Sequence, residues 1–364
     1  MDDPHHYLTL AARLALRGMG HVEPNPMVGA VIVKDGRIIG LGHHRKFGDL
    51  HAERDALESC RRQGHDPRGS TIYVTLEPCS HHGKQPPCTD ALIAAGVARV
   101  VAATRDPNPQ AAGGAEVLHR AGITVEFSDA SPLAAAVSLP FIKYVTTDLP
   151  FVIAKWAQTH DGRLITRAGE PRWISGPVAR RRVHALRGRV DAVLTGIGTV
   201  LHDNPRLTAR DVAPRRIAQR VILDTHLRTP PTAAIFGDAP HAPVLILTTE
   251  HALRSPPVDA LRARNAALES VPAVPDGLDL RSALRTLRHK HGVHIVMIEA
   301  GPALLASLFT QDLIDAALVH VAPGITGPPD LKGPRVGPPG RFALARARAV
   351  GLDVEFFYLR PTTP

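Results

Sequence analysis

Along the first third of the chain, the spacing of apolar positions changes from segment to segment. Tyr7–Arg17 repeats them at intervals of three and four, which predicts a helix with one buried face. The stretch "MVGAVIVKDGRIIGLG" is almost continuously apolar, with Asp35-Gly36 in its middle, so it predicts a hairpin closed by a tight turn. A helix from about Ala52 to Arg62, a buried strand "STIYVTLE", and a helix from near Cys88 to Gly96 follow. The strand "VARVVAAT", a helix near Glu116–Ala121 and the strand "ITVEF" continue the alternation. Strands separated by helices predict an α/β fold with a sheet covered on both faces.

"SPLAAAVSLPFIKYVTTDLP" predicts a helix running into a boundary near Thr146–Pro150, which divides the chain into 1–146 and 147–364. A second α/β series starts with "FVIAKWAQ". Its further strands are "DAVLTG", "RVILD", "PVLILTT", "HIVMIEA", "AALVHVAP" and "DVEFFYL". Proline-rich stretches around 229–243 and 323–340 predict loops.

Length agrees with two cores, since 364 residues is long for one. No apolar run reaches membrane-spanning length, and "MDDPHHYLTL" lacks a basic, apolar leader, so no membrane partner is expected. Three cysteines make no disulfide framework, and a reducing cytoplasm is the expected setting. Charge is uneven: residues 1–146 carry 15 Lys and Arg against 15 Asp and Glu, and residues 147–364 carry 28 against 19. A basic half suits nucleic acid, a membrane surface or small phosphates. No basic stretch is interleaved with aromatics for stacking on bases, which argues against nucleic acid and for small phosphates.

The chemistry concentrates in "HAERDALESC" and "EPCSHHGKQPPC". A catalytic zinc takes three protein ligands and leaves a fourth position for water. His51, Cys79 and Cys88 supply such a set, each at the start of a helix or between a strand and a helix. A helix N-terminus favours a thiolate there. Glu53, two residues from His51, can reach the open position and carry protons between water and a leaving amine. Zinc deaminases share a His-x-Glu and Pro-Cys-x-x-Cys signature. Here "HAE" and "PC" fit, but eight residues separate the cysteines. The plainer alternative is a pair of incidental cysteines near a solvated histidine. Cys60 stands apart as a buried helix residue.

With this long inter-cysteine insertion, together with "PNPMVGAVIVKDG" and "RDPNP", the chain resembles the bifunctional deaminase/reductase family of bacterial riboflavin biosynthesis. The resemblance covers nearly the whole length. It implies a cytidine-deaminase-like three-layer domain followed by a dihydrofolate-reductase-like domain. It also implies that Asn25, His43, His81 and Lys84 hold a pyrimidine or its ribosyl phosphate.

"TGIGTVLHDNP" and "IEAGPALLASL" in the second half lack the third glycine of a dinucleotide fingerprint. On their own they read equally as packing turns or as helix N-termini open to an anion. The resemblance assigns Ala157, Trp173, Thr199, Asp203 and Thr225 to NADPH, with Gly301, Pro302, Ala303, Leu304, Leu305, Ala306 and Ser307 around its phosphates. It assigns Pro171, Arg187, Leu207, Arg210 and Glu299 to the ribosylated pyrimidine, where two guanidinium forks suit a phosphate. The chain departs from the family pattern with Pro171 before Trp173, with His160 in "THDG", and with "AAGGAE" near Gly113.

The implied activity is hydrolytic, zinc-dependent deamination of a diaminopyrimidinone ribosyl phosphate, then NADPH-dependent reduction of the ribosyl group to a ribityl chain. Homo-oligomerisation stays open. Two alternatives differ in what they require. A deaminase with a non-catalytic second domain would consume no NADPH, and a nucleic-acid deaminase module would bind RNA or DNA with strong salt dependence.

Overall fold

A computed structural model describes residues 3–83, 85–162, 164, 173–237, 242–323 and 342–361. It divides into two compact units, Met1–Asp148 and Leu149–Pro364. No described helix is long and apolar enough to cross a membrane.

The first unit runs α1 (Pro4–Ala15), β1 (Gly29–Lys34), β2 (Arg37–His43), α2 (Ala52–Arg62), β3 (Thr71–Val74), α3 (Cys88–Ala95), β4 (Arg99–Ala102), α4 (Gly114–Arg120), β5 (Thr124–Phe127), α5 (Pro132–Val137) and α6 (Leu139–Thr146). Its sheet has the order β2-β1-β3-β4-β5, antiparallel across the first three strands and parallel across the last three. The hairpin turn places Asp35 and Gly36 at φ of 50° and 71°, the doubly left-handed turn that suits the twist of paired strands. Ala30, Ile32, Ile72, Val74 and Val100 face the core shared with Ala52, Ala56 and Cys60 of α2, Leu92 of α3 and Leu118 of α4. On the opposite face Gly29 meets the α1 backbone at Ala11 and Ala15. The sheet is therefore covered on both sides.

The contact between α2 and β2 is unusually close. A Cβ on Gly42 would lie 2.3 Å from Ala52 O and Ala56 N, and one on Gly40 would lie 2.6 Å from Ala56 O. Only hydrogen in place of a side chain lets the helix sit this near the strand. The single segment expected over 131–150 is two helices, with Ser138 between them. Pro140 lacks an N–H and its ring crowds the preceding turn, so it opens a new helix rather than extending the first.

The second unit runs β6 (Phe151–Thr159), α7 (Pro177–Arg187), β7 (Ala192–Gly196), α8 (Ile197–Asp203), β8 (Gln219–Leu223), β9 (Val244–Thr248), α9 (Pro257–Arg262), β10 (Ala266–Ser270), β11 (Ala273–Val274) and β12 (Gly277–Leu278). It continues with α10 (Leu280–Lys290), β13 (Ile295–Ile298), α11 (Pro302–Thr310), β14 (Ala316–Ala322), β15 (Ala343–Val350) and β16 (Asp353–Leu359). The main sheet has the order β10-β9-β8-β7-β13-β6-β14-β16-β15, and its first seven strands are parallel. β16 and then β15 close the far edge antiparallel. Leu284 and Leu287 of α10 and Leu305 and Leu308 of α11 bury one face, with Trp156 and Val319.

Pattern reading does not find β10 or β15. The β15 segment "ALARARAV" is exposed over most of its length and has no apolar face to announce it. It is a strand because β16 offers a ladder, and Arg346 and Arg348 both bond Glu355 across that ladder. Of the two proline-rich stretches, 229–243 holds a 3₁₀ turn at Ala234–Phe236. Nearly all of 323–340 lies outside the described residues.

Gly42→Ala tests the α2–β2 contact. The added methyl must push α2 off the strand, at the cost of about 1–3 kcal/mol usual for overpacking. A lowered thermal midpoint is expected, whereas an unchanged midpoint would mean that the two elements separate without cost.

Candidate functional site

The C-cap region of β2 and the N-termini of α2 and α3 converge in the first unit. His51 is the N-cap of α2, and Cys88 is the first residue of α3. His51 Nδ1 lies 3.5 Å from Cys79 Sγ and 3.5 Å from Cys88 Sγ. Among the described residues these three form the one group of His, Cys, Asp and Glu with metal-holding geometry, all ligand atoms lying within 4.8 Å of one another. Tetrahedral zinc, with bonds of about 2.0–2.1 Å to nitrogen and about 2.3 Å to sulfur, separates those atoms by roughly 3.5 Å. The donor set fits zinc.

Glu53 is 3% exposed and lies two residues beyond the histidine, in the first turn of α2. Burial, reinforced by the neighbouring Cys79 thiolate, pushes its carboxyl up to about 7 in the metal-free site. A hydrogen bond from the Cys88 thiol brings Cys79 down to about 4 against the pull of burial. The same bond, with burial, raises Cys88. Zinc binding by such thiols releases their protons. Cys60, buried and apart, is pushed up to about 11 by burial alone.

Glu77 and the glycines near 113 hold the Cys79 segment. Glu77 accepts from Ala115 N at 2.9 Å and Asp106 N at 3.2 Å, tying the start of α4 and the "RDPNP" loop to the strand end. Gly113 has φ of 88°, and a Cβ on Gly114 would lie 1.8 Å from Pro78 O. "AAGGAE" therefore keeps glycine at both positions that need it.

Asn25 lies against His44, its Nδ2 3.1 Å from His44 Nε2. His44 Nδ1 faces Leu50 O at 3.0 Å, and the ring stands edge-on to His51 at 5.4 Å. A carbonyl only accepts, so Nδ1 carries the proton. Burial keeps the ring below its usual pKa and hence neutral. Nε2 then accepts from the Asn25 amide. His43 does not join this group; its backbone N–H donates to Asp55 at 3.0 Å, and its ring lies 4.0 Å from the same carboxylate. The resemblance points to His43 as a substrate contact and is silent on His44, which is the residue that touches Asn25. Strand alternation was the available signal, because Gly40 and Gly42 face α2 and His44 has their parity. His81, in the insertion, has a buried Nδ1 with no hydrogen-bond partner. Lys84 lies outside the described residues.

In the second unit, the expected residues gather at the carboxyl ends of the parallel strands, where open α/β sheets bind ligands. Ala157 is on β6, Thr199 in the first turn of α8 after β7, Thr225 after β8, and Glu299 and Gly301 after β13. Thr199 Oγ1 accepts from Gly301 N at 3.2 Å, joining two of these ends. The N-terminus of α11 begins at Gly301 with no capping side chain. Pro302 has no N–H and Leu305 N already bonds Gly301 O, so Ala303 and Leu304 carry the helix's leading N–H groups. Thr225 O accepts from Thr248 and Thr249. Asp203 and Trp173 are exposed, and Arg180 lies 5.3 Å above the indole. His160 sits in an exposed turn, where no apolar residue is required. Pro171 lies outside the described residues.

Arg187 and Glu299 form a bidentate pair at 2.6 and 2.9 Å, with Lys155 3.9 Å from the same carboxylate. Burial alone would raise the Glu299 pKa, but Arg187 and Lys155 hold it down to about 2. Sequence reasoning missed Lys155, although a lysine within the buried run "FVIAKWAQ" was a signal. Arg210 donates to Thr208 Oγ1 at 3.0 Å, and its backbone N–H bonds His184 Nδ1. Leu207 is buried at φ of 56°. Much of the positive excess is spent internally. Arg182, Arg346 and Arg348 converge on the buried Glu355, beside His320.

The family model for the RibD C-terminal domain matches residues 150–354, and that for the cytidine and deoxycytidylate deaminase zinc-binding region matches residues 1–104. Similar curated proteins include the riboflavin biosynthesis protein RibD of Aquifex aeolicus, 39% identical over 88% of this chain and 87% of the relative. That of Escherichia coli is 38% identical over 96% and 97%. A solved Thermotoga maritima structure, titled as a diaminohydroxyphosphoribosylaminopyrimidine deaminase/5-amino-6-(5-phosphoribosylamino)uracil reductase, superposes with a TM-score of 0.78 at 35% identity, covering 98% and 99% of the two chains. Acinetobacter baumannii RibD gives 0.75 at 34%, covering 99% of each.

Two measurements check the geometry. Cys88→Ser should sharply lower bound zinc, because a hydroxyl is harder to ionise than a thiol, while Cys60→Ser leaves metal content unchanged. Equal zinc in wild type and Cys88→Ser would remove Cys88 from the ligand set. The Glu299 pair should also shape acid stability. A carboxylate with a folded pKa near 2 and an unfolded value of about 4.3 stabilises the fold fully above the unfolded value. That contribution, about 3 kcal/mol, is lost as pH falls towards 2. Arg187→Ala should remove this acid-dependent loss while destabilising the protein at neutral pH by about 3–5 kcal/mol. Unchanged acid unfolding in that variant would show the pair to be inert.

Proposed function

The chain belongs to the RibD family of riboflavin biosynthesis proteins, and from that membership we propose which of its residues carry the family's two reactions. It is a bifunctional enzyme, a deaminase joined to a reductase. In our reading residues 1–146 perform the first reaction and residues 147–364 the second.

The observation that carries the deaminase assignment is His51 Nδ1 at 3.5 Å from both cysteine sulfurs with Glu53 buried beside them. We take the substrate to be a diaminopyrimidinone bearing ribosyl phosphate. Zinc bound by His51, Cys79 and Cys88 would supply an activated water at the amine-bearing ring carbon. In the net hydrolysis the water oxygen becomes the ring C=O. One of its protons goes to a ring nitrogen and the other to the amine, whose C–N bond breaks as ammonia leaves. Glu53 would be the group that carries these protons. A buried carboxyl group two residues from the histidine ligand is placed to take and return a proton there. His44 holds the Asn25 amide by its nitrogen, which leaves the Asn25 carbonyl oxygen to accept from an N–H of the pyrimidine. The unpaired Nδ1 of His81 and the Lys84 ammonium offer further polar contacts to the same ligand.

For the reductase, NADPH would supply the hydride that converts the ribosyl group to a ribityl chain. The leading N–H groups of α11, at Ala303 and Leu304, face its phosphates in this reading, with Thr199, Thr225, Ala157, Trp173 and Asp203 along the rest. Arg187 and Arg210 are the candidates for the substrate phosphate, with Arg187 also held by Glu299. Lys155, Arg187 and Glu299 form the charged floor of this site. The cytoplasm suits both reactions, since free thiols are needed at the metal. A small phosphorylated substrate, rather than nucleic acid, also suits a basic half whose arginines are largely paired within the fold.

Glu53→Gln keeps the side chain's shape and removes its proton-carrying function. Zinc content should stay at wild-type level while deamination falls about 100–10,000-fold. NADPH oxidation with already deaminated substrate should persist. Wild-type deamination in the variant would take Glu53 out of the mechanism, and wild-type protein that never oxidises NADPH would leave a deaminase alone.

A further inference from the structure

The eight residues between Cys79 and Cys88 must carry the chain away from one metal ligand and back to another. Their first residue is anchored, with Ser80 N and Oγ bonded to the carbonyls of Ala111 and Ala112. The return is harder to hold. Pro86 and Pro87 lack N–H groups, so this stretch can donate no backbone hydrogen bond, and Pro87 provides no side-chain cap for α3. What remains are two carbonyl oxygens, and both are taken by one side chain. Arg54 Nε donates to Pro86 O at 3.2 Å, and Arg54 Nη2 donates to Pro87 O at 2.9 Å. Gln85 Nε2 adds a bond to Gly48 O at 3.1 Å.

Arg54 follows Glu53 directly on α2 and lies three residues past His51. The helix that bears the histidine and the proton carrier therefore grips the backbone immediately before Cys88. A guanidinium placed at the start of α3 also stands against that helix's positive end, which disfavours a cation. The arrangement is thus not one that a surface arginine adopts for its charge. It is the planar fork, matched to two successive carbonyls, that explains it.

We propose that Arg54 is a positioning residue for deamination: its fork brackets Pro86 and Pro87 so that Cys88 is held in place to complete the ligand set with His51 and Cys79. The proposal rests on the zinc-site reading above. Loss of the bracket leaves the three ligands intact but lets the Cys88 segment move, so the metal should still bind yet exchange faster. Outer-shell partners of metal ligands commonly govern about 10–100-fold in metal affinity.

The test uses the full-length zinc-loaded protein and follows transfer of zinc to a chromogenic chelator, together with deamination and NADPH oxidation. Arg54→Ala is expected to start with the wild-type zinc content and to release it about 10–100-fold faster. Its deaminase rate should fall while its reductase rate stays at the wild-type level, and the wild-type zinc content reports that the first unit is folded. Arg54→Lys keeps the charge but cannot span two carbonyls, so it should resemble Arg54→Ala. Wild-type release and deamination in Arg54→Ala would overturn the proposal, and so would a lysine variant that behaves as wild type, since charge alone would then suffice. Should Arg54→Ala fail to fold, the lysine variant decides by the same two readouts. Wild-type protein that binds no zinc would instead overturn the zinc-site reading itself.

Discussion

The close approach of α2 to β2 sets the geometry on which the deaminase half depends. Two glycines, Gly40 and Gly42, remove the side chains that would otherwise separate helix from strand. The helix axis is thereby placed so that its N-cap, His51, meets the sulfurs arriving from the end of β3 and the start of α3. Glu53 and Arg54 follow from the same placement, one buried beside the sulfurs and the other bonded to the Pro86–Pro87 carbonyls. His44 belongs to it as well, because strand parity carries the glycine face to the histidine that touches His51 and Asn25. A metal site of this kind tolerates little error in ligand position, so rigid backbone contact is a better foundation than a loop.

The second half solves a different problem. Its parallel strands bring functional groups to one edge of the sheet, but two buried carboxylates must be neutralised on the way. Glu299 is held ionised by Arg187 and Lys155, and Glu355 by Arg182, Arg346, Arg348 and His320. Removing one partner of such a group leaves a charge stranded in a poorly solvated place. The arginine excess is therefore partly a structural requirement of the fold.

Most of the alternation was legible because each segment's period agrees with its final burial. α2 spans the residues that its pattern predicts, and the Asp35-Gly36 turn lies where two β-rich runs meet. The zinc set was legible for a chemical reason: few jobs use His-x-Glu with two nearby cysteines. β15 was not legible, since an alternation of alanine and arginine has no apolar face and acquires its state from the ladder that β16 offers. His44 and Lys155 were not singled out, because their importance lies in partners 19 and 144 positions away.

Sequence by itself determined most of the alternation in the first half, the two α/β series, the candidate metal-ligand set and the resemblance that named both reactions. These follow from local propensity, from hydrophobic period and from rare combinations of reactive groups, none of which needs coordinates. Tertiary structure alone decided which histidine touches Asn25, which arginine is already occupied by Glu299, and what holds the chain in front of Cys88. Each of these is a hydrogen-bond pairing between side chains or carbonyls brought together only by packing. A chain written in one dimension records that such groups exist, but the partner each one takes is set by distance in the folded state.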